Sequence, residues 1–405
     1  MRETTGTLPR VLRLFVACSL LATIPMSLAT VSAARLKDNA SLSSAYVAMG
    51  DSYASGEGLQ SNATTYISPS NTDGCHRSVT AYPVLVAASL NVDLGQFETY
   101  GSGGFVACSG ATSKDLLKGE NGEPAQLSAL SSATRWITVT AGGDDLHFSN
   151  VLLACLDLRA SVIVHGTTRS YTQSGVVRES KTCDEYLASA NSLFAVSNGS
   201  PKEVAALEHV YEQIFIHAPN AELAVLNYPQ LFTESSPAFC PVARGISVSS
   251  VFKVRSAQLN VGYSASQISQ FNRVENELNA AIASAVSDVS ALGHDIRLVD
   301  VNSLTKAAAI PCNLAANVRS DINALRFSVG SPLTTVIENC HLDFAHLLSL
   351  RPFVSCPSYE LDAFLQHIVA NETFHPKQDA HETMARAVEA LFNLVSTTTT
   401  TLNPN

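Results

Sequence analysis

Short apolar runs alternate with longer helical stretches along much of this chain, and that alternation limits the folds available to it. The apolar runs span residues 45–49, 136–140, 222–226 and 295–301, and each has the length of a buried strand. A helical stretch over 201–217 precedes the third run. Strands separated by helices predict an α/β fold in which a parallel sheet is covered on both faces.

The clearest predicted helix precedes the fourth run, and a last helix is predicted over residues 378–395. We find no internal repeat and no Pro- or Gly-rich linker, so one domain over 35–395, enlarged by disulfide-tied loops, is the simplest interpretation. In the first helix, apolar residues recur every three or four positions, and Gly293 ends it. These residues are Ile268, Phe271, Val274, Leu278, Ile282, Val286 and Val289.

The N-terminus resembles a secretory signal peptide over residues 1–34. Basic residues come first, residues 14–28 are mostly apolar, and Val31-Ser32-Ala33 supplies small residues for cleavage. A membrane anchor is the alternative, but the apolar run is shorter than the roughly 20 residues that span a bilayer. We expect a secreted protein with no stable membrane anchor, and a disordered threonine-rich tail over 396–405.

Cysteine and glycosylation patterns favour the same compartment. The chain has nine cysteines, of which Cys18 lies in the predicted signal peptide. An even set of eight in a secreted chain predicts four disulfides, and sequential pairing (75–108, 155–183, 240–312, 340–356) closes the shortest loops, although other connectivities stay open. The eight are Cys75, Cys108, Cys155, Cys183, Cys240, Cys312, Cys340 and Cys356, and glycosylation sequons stand at Asn39, Asn62, Asn198 and Asn371.

Gly50-Asp51-Ser52 directly follows the first predicted strand. Active sites of open α/β sheets lie along the carboxyl edge of the strands, where a serine at a helix start presents its hydroxyl. The glycine permits a tight turn, and the helix N-terminus offers backbone N–H groups to a developing oxyanion. The alternative is that Asp51 or Ser52 merely caps the helix.

Five ordered blocks resemble the SGNH, or GDSL-type, lipases and esterases, in particular a secreted Streptomyces-like branch. The resemblance spans residues 45–392, with weaker matching between about 156 and 360. It implies a flavodoxin-like three-layer α/β/α sandwich and a serine ester hydrolase. The blocks are residues 46–58 around Gly50-Asp51-Ser52, Cys75-His76-Arg77-Ser78 with Ala81-Tyr82-Pro83, Ala107-Cys108-Ser109-Gly110-Ala111-Thr112, Val139-Thr140-Ala141-Gly142-Gly143-Asp144-Asp145, and Phe374-His375-Pro376.

The resemblance implies that Ser52 is the nucleophile and His375 the general base. Backbone N–H groups of Ser52 and Gly110 would bind the oxyanion. His375 precedes a proline, which predicts an extended or turn segment before the last helix, whereas the rival His381 falls inside that helix. Glu372 stands where the family often has an acid that orients the histidine, and a backbone carbonyl there is the alternative.

Asp144 is the main departure, because the family usually has an asparagine whose amide points into the oxyanion hole. An ionised aspartate cannot donate a hydrogen bond, and losing one such donor costs on the order of 10²–10³ in rate. Three accounts stay open. Asp144 is protonated in a dry pocket, neighbouring backbone N–H groups suffice, or catalysis is impaired and the protein only binds.

The leading function is therefore a secreted carboxylic ester hydrolase; lipase, esterase, phospholipase A and sugar deacetylase all remain open. A non-catalytic binding protein and, more weakly, a metal-dependent hydrolase using Asp51, Asp144 or Asp145 are the alternatives, although no metal-binding spacing occurs. We expect no cofactor or metal, a monomer, and a small-molecule or lipid ester as substrate. The formal net charge of −10 argues against nucleic acid as a partner.

Overall fold

A parallel sheet forms the centre of the computed structural model, which describes residues 45–59, 66–67, 74–99, 103–164, 167–175, 180–197, 199–233, 238–241, 246–248, 256–305 and 374–394. Within these residues the sheet has the strands β1 (Tyr46–Met49), β2 (Trp136–Val139), β7 (Glu222–Leu226) and β11 (Ile296–Val299), in the order β1-β2-β7-β11. Every neighbouring pair is parallel. The four apolar runs thus form the predicted strands.

The strand order reverses at β1. Phe105 makes a parallel bridge to Ala48 on the side of β1 that faces away from β2, so the chain visits one side of β1 and then the other. Such a reversal leaves a crevice outside the carboxyl end of the strand, where ligands bind in open α/β sheets. Ser52 follows that end of β1.

Helices cover both faces of the sheet, which confirms the predicted three-layer α/β/α sandwich. Alternate residues of β1 enter different cores: Tyr46 and Ala48 pack with one group of helices, and Val47 and Met49 with the other. The helices are α1 (Ser52–Ser55), α2 (Tyr82–Ser89), α3 (Leu94–Phe97), α4 (Ser113–Lys118), α5 (Phe148–Ala154), α6 (Cys183–Leu193), α7 (Lys202–His217), α8 (Ala265–Ala291), α9 (Val301–Thr305) and α10 (Gln378–Leu391), with a 3-10 turn at Gln126–Ala129.

Helix α8 shows why the periodic sequence becomes a long helix at this place. Ser264 caps its N-terminus by accepting from the backbone N–H of Gln267, whose side chain accepts in return from the backbone N–H of Ser264. The predicted apolar face, including Phe271 and Leu278, is buried against the sheet. Gly293 follows the helix with a φ of 95°, as expected for a residue that ends it.

A second, antiparallel sheet lies where the sequence analysis expected only disulfide-tied loops. Its strands follow the order β4-β3-β10-β8, and β9 also pairs with β10. One pairing of this sheet, between β3 and β10, joins segments about 100 residues apart, and another, between β3 and β4, is a local hairpin. The strands are β3 (Asp157–Val164), β4 (Thr167–Gln173), β8 (Phe239–Pro241), β9 (Ile246–Val248) and β10 (Ser256–Ser264), and β5 (Val196–Ser197) and β6 (Ser200–Pro201) form a separate small ribbon.

Two of the predicted disulfides are present, Cys75–Cys108 and Cys155–Cys183. Cys240 is also disulfide-bonded. Its predicted partner Cys312 lies outside the described residues, as do the pair 340–356, the asparagines of the four sequons, the predicted signal peptide and the threonine-rich tail. Across the described part of the chain, the helices are all too short or too polar to cross a bilayer.

Candidate active site

Three segments of the candidate site follow the carboxyl ends of neighbouring parallel strands. Ser52 comes after β1, Asp144 after β2 and Tyr228 after β7. Because parallel strands present the same end to one edge of the sheet, residues distant in sequence meet there. His375 reaches this edge from the segment that precedes α10.

Ser52 is the first residue of α1, and its side chain is almost buried. Gly50 makes the turn into this helix with a φ of 130°, and a Cβ there would lie 2.5 Å from the carbonyl oxygen of Thr140. Only glycine fits such a conformation and such a close approach. The turn after β1 therefore has the form that the sequence predicted.

Asp51 is the N-cap of α1, and both of its carboxylate oxygens accept hydrogen bonds. Oδ1 accepts from the backbone N–H of Tyr53 at 3.0 Å and from the hydroxyl of Thr140 at 2.7 Å. Oδ2 accepts a short bond from the hydroxyl of Tyr228. Burial raises the pKa of Asp51, and these donors partly offset that rise. The carboxylate is thus committed to positioning the turn that carries Ser52.

Ser52 and His375 line one cavity of about 80 Å³ at this edge. Asp51, Asp144, Tyr228 and Glu275 supply further polar groups. The remaining walls are mainly apolar, which suits an acyl chain or another apolar part of a substrate. The apolar lining residues are Leu146, Phe148, Leu152, Leu153, Leu278 and Phe374.

His375 lies in a bend three residues before the start of α10, in the kind of segment that the following proline predicted. The hydroxyl of Tyr53 donates to the carbonyl oxygen of Phe374 at 2.8 Å, and the rings of Tyr53 and His375 are 5.5 Å apart. Tyr53, the residue after Ser52, therefore holds the segment that carries His375.

His381, the rival histidine, is fully buried in α10. Its Nδ1 accepts from the backbone N–H of Tyr82 at 3.1 Å, and the two rings stack. Burial lowers the pKa of His381 to about 3. It does not line the cavity of Ser52, and its contacts are those of a structural residue.

Asp144 lines the cavity and is partly buried. Burial raises its pKa well above the ordinary range, and the negative charges of Asp51 and Asp145 raise it further. Asp145 points elsewhere, since it accepts from the backbone N–H and the hydroxyl of Ser113, both at 2.8 Å. Burial raises the pKa of Asp145 as well, but the hydrogen bonds from Ser113 partly offset that rise, whereas the neighbouring charges add to the rise at Asp144.

Gly110 is exposed and has a φ of 89°, and it is not among the residues that line the cavity of Ser52. The segment that carries it is tied to Cys75 by the Cys75–Cys108 disulfide and by the backbone bond from Ser109 to Cys75. Glu57 also binds the hydroxyl of Ser109 and, 3.0 Å away, Nδ1 of His76. The block at residues 75–78 and the block at residues 107–112 are thus cross-linked to each other.

Glu372 lies outside the described residues, so its predicted role stays a prediction. Sequence reasoning missed several residues of the cavity, among them the titratable Tyr228 and Glu275. Tyr228 could have been found from its place just after a strand, and Glu275 as a carboxylate on the apolar face of α8. Glu275 accepts from the backbone N–H of Leu231, and burial raises its pKa well above the ordinary range.

The described residues contain no group of three or more His, Cys, Asp or Glu side chains that could hold a metal ion. Asp51, one of the residues that the metal-dependent alternative would use, has both oxygens engaged in hydrogen bonds. Asp145, another, is bonded to Ser113.

Comparisons with known proteins agree with this fold. No family model matches the chain. Lipase 1 of Streptomyces coelicolor is 33% identical over 187 residues, which are 46% of this chain and 53% of that protein. A lipase of Streptomyces rimosus is 31% identical over the same shares of both chains. The chain therefore spans about half the length of the curated relatives it matches.

The crystal structure of phospholipase A1 from Streptomyces albidoflavus NA297 is similar with a TM-score of 0.51. It is 21% identical, and the match covers 85% of this chain and 98% of that one. This likeness shows a shared fold. The chain is thus similar to two Streptomyces lipases over about half of its length, and its ordered blocks resemble those of the SGNH, or GDSL-type, lipases and esterases.

Proposed function

We propose that the protein is a secreted carboxylic ester hydrolase in which Ser52 is the nucleophile and His375 the general base. The observation that carries this proposal is that the two residues, from opposite ends of the chain, line one cavity. A hydroxyl and an imidazole within one largely apolar cavity are the groups that acyl transfer through a covalent intermediate requires.

In the first half of the reaction, His375 takes the hydroxyl proton of Ser52 as its oxygen attacks the ester carbonyl carbon. The tetrahedral intermediate then expels the alcohol, which receives that proton, and an acyl-Ser52 ester remains. Water attacks this ester in the second half, with His375 again moving the proton, and the carboxylic acid and free Ser52 result. Glu372, by its side chain or its backbone carbonyl, orients His375 in this scheme.

The oxyanion is bound by the backbone N–H groups of Ser52 and Gly110 and by the side chain of Asp144 as a neutral carboxylic acid. A protonated carboxyl donates an O–H hydrogen bond as the family's asparagine donates an N–H. Burial of Asp144 among other carboxylates supports this choice over the other two accounts, because both effects favour its protonated form.

Apolar side chains beside Ser52 favour a substrate with an apolar acyl group. The curated relatives are called lipases and the similar solved structure is a phospholipase A1, so lipid esters are the first class to test. Two disulfides among the described residues support secretion, because such bonds persist in oxidising compartments.

Hydrolysis of p-nitrophenyl esters, from acetate to palmitate, by wild type and Ser52→Ala tests the proposal. We expect wild-type turnover and a loss of at least about a thousandfold in Ser52→Ala and in His375→Asn. A matched control is Ser55→Ala on the same short helix, which should stay active. An activity that survives Ser52→Ala, or a wild type that binds but never turns over these esters, would overturn the assignment and favour the binding-protein alternative.

Glu372→Ala distinguishes the two ways of orienting His375. A loss of turnover assigns the role to the carboxylate, and an unchanged turnover assigns it to the backbone carbonyl. Sensitivity of the reaction to EDTA would instead revive the metal-dependent alternative.

A further inference from the structure

Tyr228 joins two segments of the candidate site that are far apart in the sequence. It stands two residues after β7 and is 5% exposed, with its side chain at the cavity wall. The residues that its hydroxyl contacts, Asp51 and Gly143, are far from Tyr228 in the sequence. The inference drawn from it rests on the proposed function and concerns the geometry of the same site.

The hydroxyl of Tyr228 makes two hydrogen bonds in opposite directions. It accepts from the backbone N–H of Gly143 at 3.1 Å and donates to Oδ2 of Asp51. A phenol can accept and donate at once, so a continuous chain runs from the Gly143 amide to the Asp51 carboxylate. Asp51 precedes the nucleophile, and Gly143 precedes Asp144.

The tyrosine itself is held firmly. The side-chain amide of Asn279 accepts from the backbone N–H of Tyr228 and donates to its carbonyl oxygen, both at 2.9 Å. The ring packs edge-to-face on Tyr53, with centroids 5.1 Å apart. A Cβ on Gly143 would lie 3.1–3.3 Å from the ring, so glycine permits this close approach. These contacts leave the side chain of Tyr228 little room to move, so its hydroxyl has a fixed position.

We propose that Tyr228 is a positioning residue, whose hydroxyl fixes the Gly143–Asp144 segment relative to Ser52 and so sets the geometry of the oxyanion site. Donors to an oxyanion act only when they are placed in advance, and a displacement of about 1 Å can cost about 100-fold in rate. Tyr228 reaches both segments from the end of a third strand, β7. The packing of the sheet therefore fixes the distance between the two segments.

The hydrogen bond between Gly143 and Tyr228 also determines whether the Gly143 amide can bind the oxyanion. The backbone N–H of Gly143 points to the hydroxyl of Tyr228, and so it is committed to the positioning chain. Donation to the oxyanion from this segment then falls to Asp144. The Gly143 amide, already bonded to Tyr228, therefore does not serve as an oxyanion donor.

Tyr228→Phe tests the proposal, because it removes the hydroxyl and keeps the ring. We expect kcat on the best p-nitrophenyl ester to fall about 10- to 100-fold while KM stays within about twofold. Labelling of Ser52 by a fluorophosphonate should slow by a similar factor. Replacing Tyr228 with 4-aminophenylalanine, which can accept and donate at the same position, should restore part of the lost kcat.

Two other buried tyrosines provide matched controls. Tyr46→Phe removes a buried hydroxyl that is 2.9 Å from the hydroxyl of Thr138, away from the cavity. Tyr211→Phe removes a buried hydroxyl without a hydrogen-bond partner among the described residues. Both should keep kcat within about twofold of wild type, and the melting temperature of each variant reports its stability separately.

A Tyr228→Phe enzyme with wild-type kcat would overturn the inference. So would an equal loss of kcat in Tyr46→Phe at a similar melting temperature, because a general structural effect would then explain both. In each case a Ser52-dependent activity would leave the proposed function standing. If the wild-type activity does not depend on Ser52, the proposed function fails first and the positioning role fails with it.

Discussion

The side chain of Gln126 makes hydrogen bonds to both polar backbone groups of Gly50. The backbone N–H of Gly50 donates to Oε1 at 2.7 Å, and Nε2 donates to the carbonyl oxygen of Gly50 at 2.9 Å. Gln126 is 4% exposed and belongs to the 3-10 turn before β2. Gln126 thus fixes the position of Gly50, two residues before Ser52, although it belongs to an element other than β1.

Gln126→Leu should lower both stability and turnover. The buried N–H of Gly50 loses its partner, which costs about 1–3 kcal/mol when no water replaces it. The carbonyl oxygen of Gly50 keeps its bond from the backbone N–H of Cys108. Because the same turn places Ser52, we also expect kcat to fall about tenfold or more. Urea unfolding and ester turnover measure the two effects.

Gln267→Leu is the matched control for this experiment. Gln267 also accepts from one backbone N–H, that of Ser264, and donates to one carbonyl, that of Cys155, but away from the cavity. We expect a comparable loss of stability with kcat retained. Equal losses of kcat in the two variants would show that Gln126 does not act through the turn.

Asp144→Asn should extend activity to higher pH. The raised pKa of Asp144 keeps it protonated at acidic pH, and ionisation as the pH rises would remove the donor and add a repelling charge. Asparagine donates at every pH, so the variant should lose the alkaline decline in kcat. The measurement is the pH profile of kcat from 5 to 10. Coincident profiles, or a wild-type rate that keeps rising from pH 5 to 8, would count against a protonated Asp144.

Glu203→Gln should stabilise the protein at alkaline pH. Burial raises the pKa of Glu203 to about 8, helped by the charge of Asp145, whereas its ordinary value is 4.5. A raised pKa means that the folded state binds the proton more tightly. The contribution to stability is therefore complete below pH 4.5 and is lost as the pH rises through 8, by as much as a few kcal/mol.

Melting temperatures of Glu203→Gln and wild type at pH 4.5 and pH 9 test this sign. We expect little difference at the lower pH and a higher melting temperature for the variant at the higher pH. Glu212→Gln is the control, because Glu212 lies on the same helix α7 but is exposed. A gain that is equal at both pH values would contradict the assignment.

His381→Asn should make the fold less sensitive to acid. Burial, and then the charge of His375, lower the pKa of His381 to about 3 from 6.5. Its contribution to stability is present above pH 6.5 and is lost as the pH falls toward 3, because the unfolded chain takes up the proton first. Asparagine can accept from the Tyr82 amide without titrating.

The midpoint of acid unfolding measures this effect, and the exposed His209→Asn on α7 is the control. We expect a lower midpoint pH for His381→Asn and an unchanged one for His209→Asn. Ester turnover of folded His381→Asn should remain, in contrast to His375→Asn. A complete loss in His381→Asn would make it the better candidate for the general base.

Much of the central fold could be predicted from local sequence pattern. The apolar runs form β1, β2, β7 and β11, and the periodic stretches form α7, α8 and α10, because a strand buried on both faces and an amphipathic helix each have a recognisable pattern. The strands β3 and β10 escaped because their pairing joins segments about 100 residues apart. The analysis also missed the local hairpin of β3 and β4 and the strands β8 and β9.

The sequence by itself determined the blocks that carry Ser52, Asp144 and His375 and the turn glycine Gly50. Two of the disulfide pairs were expected from sequential pairing, and the structure decided them. Only the tertiary structure decided that a histidine near the end of the chain lines the cavity of a serine near its start, and that Tyr228 joins Asp51 to Gly143. The physical reason is that backbone geometry acts over a few residues and leaves a local pattern. Contacts across the sheet edge depend on how whole strands and helices pack, and no local pattern records them.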